Sequence, residues 1–248
     1  MSIRALVFDL WGTLIVDNPQ RDKPRRETRV RLALEALRSA GHAFPEEKVA
    51  AALRELGTEH GVLHGRGRDI AVPEKVSFFL DRIEPGLDER LDTDGWRAIE
   101  DALVAPGRLL PPLPAPGAIG VLQEAQRRGL ALGLVSNTGL TPGYVLREIL
   151  ADYGLLPYLQ ILTFSDEARL AKPAEQIYHC TLEALGVAAT EAVFIGDMPA
   201  IDVAGPQAVG MWTVQVGDQQ LDGVRPHARI DALPELFPAL ERLGLIGA

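Results

Sequence analysis

The segment at positions 8–14, FDLWGTL, places a carboxylate and then a glycine directly after an apolar run. The run from Ile3 to Phe8 predicts a β-strand that ends at Asp9. Ligands of open α/β sheets bind outside the carboxyl ends of the strands, and an ionised carboxylate there can attack an electrophilic phosphorus or carbon. Asp9 is therefore our candidate nucleophile, although an aspartate that only starts a turn would give the same local pattern.

Three later polar segments each stand beside an apolar strand pattern or open a helical one. In chain order they are Ser136-Asn137-Thr138, Lys172-Pro173, and Gly196-Asp197 with Asp202. In this order and spacing, the four segments resemble the signature of the haloacid dehalogenase (HAD) superfamily of hydrolases. The resemblance covers nearly the whole chain, and four ordered motifs are far more specific than any one of them.

The resemblance implies a covalent mechanism, in which Asp9 forms an aspartyl intermediate that water later hydrolyses. It implies that Ser136 and Asn137 hold an oxygen of the transferring group, through the hydroxyl and neighbouring amides. It also implies that the Lys172 ammonium neutralises charge between nucleophile and phosphate. Thr13 would place its hydroxyl near the nucleophile, or simply pack. Apart from the family pattern, Ser-Asn indicates a polar turn and a lone lysine a solvated charge.

A magnesium site is the second implication, because Mg²⁺ prefers hard oxygen ligands and is commonly held by one or two carboxylates. The predicted ligands are Asp9, Asp197 and the backbone carbonyl of Trp11. Asp202 would be a ligand through water or an orienting group. An aspartate at a helix start, favoured by the helix dipole, is the ordinary alternative for Asp202.

Trp11 departs from the phosphatase pattern of the family, which has a second aspartate there as general acid and base. Indole cannot transfer a proton at neutral pH, so that role is vacant. The carbonyl of Trp11 does not depend on its side chain, so the metal site survives the change. We place Trp11 with Thr13 and Asn137 among the substrate-binding residues.

The composition indicates an ordinary soluble globular protein of 248 residues, with 47% hydrophobic and 24% charged residues. The net charge of -9 argues against nonspecific binding to nucleic acid or an anionic membrane, so we expect a small-molecule partner, phosphorylated if the family resemblance holds. With no leader pattern and no apolar stretch of about 20 residues, we expect a cytoplasmic protein. The single cysteine, Cys180, lies in a helical pattern and is expected to be buried and unpaired.

Alternating strand and helix patterns predict an α/β fold, with a Rossmann-like parallel sheet covered by helices on both faces. The predicted strands after the first lie at 130–135, 160–164, 192–195 and 211–216, and the predicted helices at 118–128, 143–153, 174–185 and 200–209. A polar linker at 17–24, helical periodicity at 25–104 and a proline-rich return at 110–117 predict an inserted helical-bundle cap. The expected domains are a core of residues 1–16 and 107–248 and a cap of residues 17–106.

Two further groups in the predicted cap are less specific. His60 and His64 lie four residues apart, but no third metal ligand is evident, which favours a surface or lid role. Arg66 and Arg68 could reach an anionic substrate, although a solvated loop is the stronger expectation.

We therefore predict a Mg²⁺-dependent phosphatase that acts on a small phosphorylated metabolite. One alternative is a 2-haloacid dehalogenase, because those relatives have an aromatic residue at the position of Trp11 and need no metal. The intact pair Gly196-Asp197 argues against it. Another is a weakened phosphate-binding module, since the loss of a general acid costs about 10²- to 10⁴-fold in rate. Carbon–phosphorus cleavage would need a cap lysine, and nothing in the context of Lys48 or Lys75 singles one out.

Overall fold

Short apolar segments alternate with amphipathic helices through most of the chain, and the computed structural model describes residues 3–17 and 19–247. The strands are β1 (Ala5–Phe8), β2 (Ile15–Val16), β3 (Leu113–Pro114), β4 (Ala131–Ser136), β5 (Ile161–Phe164), β6 (Ala192–Gly196), β7 (Trp212–Val216) and β8 (Ala228–Ile230). The helices are α1 (Pro19–Ser39), α2 (Glu46–Gly65), α3 (Val72–Ile83), α4 (Leu87–Arg90), α5 (Thr93–Leu109), α6 (Ala118–Arg127), α7 (Gly143–Asp152), α8 (Ser165–Ala168), α9 (Glu175–Leu185), α10 (Gly205–Ala208) and α11 (Leu236–Arg242).

Strand β1 lies inside the main sheet. Within the described residues this sheet has six strands in the order β5-β4-β1-β6-β7-β8, and each neighbouring pair is parallel. Ala5 pairs with Ala131 on one side and with Ala192 on the other. Because all strands are parallel, the residues that follow β1, β4 and β6 meet at one edge of the sheet. The sheet order therefore brings three of the predicted motifs together.

The two faces of β1 pack into different apolar layers, because successive side chains of a strand point to opposite faces. Leu6 and Phe8 belong to the larger apolar cluster, and Ala5 and Val7 to the smaller one. Every residue of this strand is buried, which explains its continuous apolar sequence. The predicted α/β class with helices on both faces is confirmed.

Helices α1 to α5 form the bundle that the sequence predicted between the first strand and the rest of the sheet. Strands β2 and β3 pair antiparallel, with Ile15 opposite Pro114 and Val16 opposite Leu113. The chain enters the bundle after β2 and returns to the sheet through β3. This pairing therefore holds the two crossings, the connecting segments between bundle and sheet, side by side. The inserted bundle is part of the fold, whereas the division into separate domains stays a prediction.

The boundaries of the bundle differ from the predicted ones. The linker predicted over 17–24 is wrong from Pro19 onward, because helix α1 begins there and contains Pro24. Proline lacks an N–H, but Pro24 stands near an exposed helix end, where this costs one bond to the carbonyl of Gln20. Helix α5 continues to Leu109, so the predicted boundary at 107 falls within a helix. Residues 1, 2, 18 and 248 of the predicted segments lie outside the described residues.

Cys180 is exposed, so the expectation of a buried thiol is wrong. Helix α9 buries Ile177, Tyr178, Thr181 and Leu182, and Cys180 lies on the opposite face. The apolar periodicity correctly predicts this helix, but Cys180 does not lie on its buried face. In the described part of the chain, no helix is both long enough and apolar enough to cross a membrane.

Candidate active site

Asp9 directly follows β1 at the shared carboxyl edge of the sheet and is 5% exposed. Its backbone N–H donates to the carbonyl of Ile195 at 2.8 Å, which fixes it against β6. The Thr13 hydroxyl donates to Asp9 Oδ2 at 3.3 Å, and Lys172 Nζ donates to Asp9 Oδ1 at 2.6 Å. The predicted nucleophile, threonine and lysine are therefore in direct contact.

Lys172 is buried between two carboxylates, with Nζ 2.6 Å from Asp9 Oδ1 and 2.7 Å from Asp202 Oδ1. Burial alone would lower the pKa of Lys172, but the negative charges of Asp202 and Asp9 outweigh burial and raise it. The ammonium is therefore charged at neutral pH. Lys172 is therefore not the solvent-exposed surface charge that a lone lysine usually is.

Asn137 holds the backbone of Lys172 through both ends of its side-chain amide. Asn137 Nδ2 donates to the Lys172 carbonyl at 3.0 Å, and the Lys172 N–H donates to Asn137 Oδ1 at 2.8 Å. The Ser136 hydroxyl is buried and donates to the Asn137 carbonyl at 3.3 Å. In this arrangement the Asn137 side chain holds the backbone of Lys172.

Asp197 follows β6 and faces the turn after β1. A Cβ atom added at Gly12 would lie 2.5 Å from Asp197 Oδ2, and Gly12 has φ +81. Only glycine fits this close approach with this backbone conformation. The FDLWGTL turn and the Gly196-Asp197 pair therefore form two walls of one site.

Asp202 is buried, and both of its carboxylate oxygens have hydrogen-bond donors. Oδ1 accepts from Lys172 Nζ at 2.7 Å, and Oδ2 accepts from the Met198 N–H at 2.9 Å. Of the alternatives for Asp202, this geometry favours an orienting group that holds Lys172.

Trp11 is half-buried and packs against the larger apolar cluster. The guanidinium carbon of Arg25, in α1, lies 5.8 Å from the centre of the Trp11 ring. Arg25 also donates to the Leu110 carbonyl at 2.8 Å and to Asp17. The indole therefore contacts a side chain of the bundle, which in turn bonds the chain where it leaves α5.

The carboxylates of Asp9, Asp197 and Asp202 form a group in which one oxygen from each lies within 4.8 Å of the other two. Burial raises the pKa of Asp9 to about 7 against the opposing effect of Lys172, and Asp202 and Asp197 add to the rise. Burial, followed by the charge of Asp202, raises the pKa of Asp197 to about 6. Three carboxylates face one ammonium, so a divalent cation with oxygen ligands would balance the charge. The donor set fits Mg²⁺.

A second polar group in the bundle was missed by the sequence analysis. Asp69 is buried beside His60, with His60 Nε2 2.6 Å from Asp69 Oδ1, and beside His64, with Nε2 3.1 Å from Asp69 Oδ2. Lys75 is also buried, with Nζ 3.4 Å from Asp69 Oδ1. The spacing of the two histidines was the available signal, but Asp69 lies in a loop where no periodicity marks a buried residue. Arg66 and Arg68 are exposed, as expected of a solvated loop.

The model of the haloacid dehalogenase-like hydrolase family matches residues 3–210. The chain belongs to this family. It is therefore a hydrolase, and the family resemblance of the four motifs is confirmed.

Two curated relatives of this HAD hydrolase carry phosphatase names. The chain is 34% identical over 228 residues to "Phosphatase MT3486" of Mycobacterium tuberculosis, a match that covers 90% of this chain and 93% of the relative. It is 38% identical over 128 residues to a phosphoserine phosphatase of Thermus thermophilus. The latter match spans only 50% of each protein.

Among solved structures, a 2-haloacid dehalogenase from Pseudomonas syringae pv. Tomato has the same fold as this HAD hydrolase. The TM-score is 0.69 at 20% identity, and the match covers 97% of this chain and 99% of the other. At this identity the likeness concerns the fold alone.

Proposed function

We propose that this HAD hydrolase is a Mg²⁺-dependent phosphatase that cleaves small phosphorylated metabolites through an aspartyl-phosphate on Asp9. The observation that carries the proposal is the carboxylate of Asp197, which joins Asp9 in one anionic group. The phosphatase names of the relatives support it. The net charge of -9 favours a small-molecule partner over nucleic acid.

Asp9 attacks the phosphorus, so that an aspartyl oxygen–phosphorus bond forms while the bond from phosphorus to the ester oxygen breaks. The departing oxygen takes a proton from water or leaves as a stable anion. Water then attacks the phosphorus, which releases inorganic phosphate and restores the Asp9 carboxylate. Lys172 neutralises charge beside Asp9 throughout, and Asn137 and Asp202 keep it in place.

Asp9, Asp197 and the carbonyl of Trp11 would hold Mg²⁺. When bound, the ion supplies positive charge that offsets the carboxylates and the phosphoryl oxygens. The Trp11 side chain cannot give up a proton at neutral pH, so the enzyme favours leaving groups that depart without protonation. If the missing general acid slows the reaction enough, the protein would bind phosphate esters with little turnover.

A 2-haloacid dehalogenase is the second candidate. The aromatic Trp11 beside Asp9 favours it, because the resemblance places an aromatic residue there in the dehalogenases. In that reaction Asp9 would attack the carbon that bears the halogen, halide would leave, and water would cleave the resulting ester. No metal takes part, so the role of Asp197 separates the two candidates.

One screen distinguishes them. The protein is incubated with p-nitrophenyl phosphate, small alkyl phosphates and 2-chloropropionate, each in MgCl₂ or in EDTA, and released phosphate and chloride are measured. The phosphatase predicts phosphate release that EDTA abolishes. Chloride release that EDTA does not affect, without any phosphate release, would contradict the phosphatase and support the dehalogenase.

We further propose that residues 17–106 act as a cap domain over the core of residues 1–16 and 107–248. The antiparallel pair of β2 and β3 at the two crossings supports this, because it provides one compact connection.

We also propose a cytoplasmic location for this HAD hydrolase. The lone cysteine supports it, because it leaves no partner for an internal disulfide.

A further inference from the structure

The loop between α2 and α3 lies against the core segment that leads into Lys172. The Ala171 N–H donates to the Gly67 carbonyl at 3.0 Å, and the Asp69 N–H donates to the Arg169 carbonyl at 3.5 Å. Between these bonds, Arg68 forms an antiparallel bridge with Leu170. A piece of the bundle is thus paired, backbone to backbone, with the residues just before Lys172.

The side chain of Asp69 makes a second connection from the bundle to the core. Its Oδ2 accepts from the Ser165 hydroxyl at 2.5 Å and from the Thr138 hydroxyl at 3.4 Å. The Ser165 hydroxyl in turn accepts from the Thr138 N–H at 2.8 Å. Thr138 follows Asn137, whose amide brackets the Lys172 backbone. This second route also ends at Lys172.

Asp69 is ionised in this position. Burial alone would raise its pKa, but the hydrogen bond with His60, the close His64 ring and the charge of Lys75 hold the pKa far below its ordinary value. The Ile70 N–H also donates to Asp69 Oδ1 at 2.6 Å. Donors on both oxygens and a nearby ammonium favour a hydrogen-bonded cluster here over a metal site of the two histidines and Asp69.

We propose that the bundle segment Gly67–Asp69 is a positioning element for Lys172, which it holds between Asp9 and Asp202. The effect on turnover rests on the proposed function, whereas the docking of the segment on the core does not. The catalytic core is then incomplete without the inserted bundle.

Gly67 offers a direct test of the docking. It has φ +72, and an added Cβ would lie 2.6 Å from the Cβ of Ala174, two residues beyond Lys172. Gly67→Ala must therefore push the two segments apart. Gly41 has φ +84, and among the described residues no heavy atom would lie within 4 Å of an added Cβ. Gly41→Ala reproduces the backbone strain without the collision and serves as the control.

Hydrogen exchange measured by mass spectrometry tests the docking without any substrate. We expect Gly67→Ala to speed exchange in the segment 169–176 by about tenfold, because the Ala171 N–H loses its acceptor. Gly41→Ala should leave this segment at the wild-type rate. Equal exchange in the two variants would overturn the proposal. If Gly67→Ala does not fold, Ser165→Ala, which removes the bonds to Asp69 and Thr138, takes its place.

A double-mutant cycle tests the effect on Lys172, with p-nitrophenyl phosphate as the probe. We expect Gly67→Ala to lower kcat by about tenfold and to leave KM within about twofold. In the Lys172→Ala background the same change should cost less than about twofold, because the residue through which it acts is gone. If the kcat of the double variant instead falls by the product of the two single losses, Gly67 has a merely structural role and the proposal is overturned.

Asp69→Asn extends the test to the second route, and we expect it also to lower kcat with little change in KM. Asp166→Asn, one residue after Ser165, is the control, because the Asp166 carboxylate accepts from the Gly143 N–H rather than from a group that contacts Lys172. If the wild-type protein cleaves no phosphate ester, the proposed function fails, and the exchange experiment still decides whether the segment docks on the core beside Lys172.

Discussion

Asp9 is buried beside one ammonium and two other carboxylates, so its reactivity depends on which protonation state its surroundings favour. Burial and the like charges of Asp202 and Asp197 favour the neutral acid, and Lys172 favours the carboxylate. A divalent cation at Asp9 and Asp197 would act in the same direction as Lys172. If Asp9 is the nucleophile that we propose, we expect it to be fully ionised only in the metal-loaded protein.

Asp9→Asn should abolish hydrolysis, with a loss of about 10³-fold or more in kcat, because the amide is nearly isosteric but a poor nucleophile. The fold should persist, since Lys172 keeps its contact with Asp202. Steady-state phosphate release and a thermal melt check both points, with Asp166→Asn as the control for losing a buried carboxylate. Turnover within about tenfold of the parent would contradict the covalent mechanism.

Trp11→Asp should raise the turnover of alkyl phosphates more than that of aryl phosphates, because only the alkyl leaving groups need a proton. The indole is half-buried, so its removal can cost up to about 3 to 5 kcal/mol, and stability must be measured alongside rate. The measured quantity is the alkyl-to-aryl ratio of kcat/KM in each protein. An unchanged ratio in a folded variant would mean that another group supplies the proton.

At the scale of elements, the site depends on loops that hold one another rather than on side chains placed by rigid helices. Asn137, after β4, bonds the backbone of Lys172, and the loop after α2 bonds the residues just before it. Loss of either contact should reduce the rate more than the affinity for substrate.

Asn137→Ala should lower kcat and cost about 1 to 3 kcal/mol of stability, because the buried Lys172 backbone loses its side-chain partners. Gln160→Ala is the matched control, since Gln160 Oε1 accepts from the Leu132 N–H at the opposite edge of the sheet. Thermal melts and kcat are compared for both variants. If the two variants lose rate equally, Asn137 has no special relation to Lys172.

The sequence predicted the main strands and helices well where apolar periodicity was continuous, as in β4, α9 and β6. It missed β2 and β3, because strands of two residues carry no periodicity and their pairing joins positions about 100 apart. It also missed β8 and α11, since a short strand and a short helix at the end of the chain give weak patterns.

For the site, the family motifs predicted the contact of Asp9 with Lys172, but local patterns could not predict Asp69. Asp69 meets Ser165 across 96 positions of sequence, and only the folded chain shows that its carboxylate is buried. The role of Asn137 was also only partly predicted. Substrate binding at Asn137 stays a prediction, and the bonds of its side chain to the Lys172 backbone were not predicted.

At the scale of the whole molecule, the anionic site links metal binding to pH. The pKa of Asp9 is raised to about 7 and that of Asp197 to about 6. A carboxyl group whose pKa is raised on folding makes the metal-free folded state less stable as the pH rises from the ordinary pKa of 3.8 to the raised value. Below it, Mg²⁺ must displace the protons.

The thermal stabilisation by MgCl₂ over EDTA should therefore be larger at about pH 8 than at about pH 5.5. Lys172 does not reverse this trend, because its raised pKa lies above the window. Asp197→Ala should lose the stabilisation at both pH values, and exposed Asp218→Ala should keep it. A stabilisation that is independent of pH in the parent protein would contradict metal binding by these carboxylates.

The position of β1 in the sheet has a consequence for synthesis on the ribosome. This strand is translated before both of its neighbours, because β4 begins at Ala131 and β6 at Ala192. Until β4 and β6 have been synthesised, the fully apolar strand that precedes the proposed nucleophile has unpaired backbone groups on both edges. A nascent chain stalled before β4 should therefore bind chaperones or aggregate, and we expect hydrolytic activity to appear only after β6 has left the exit tunnel.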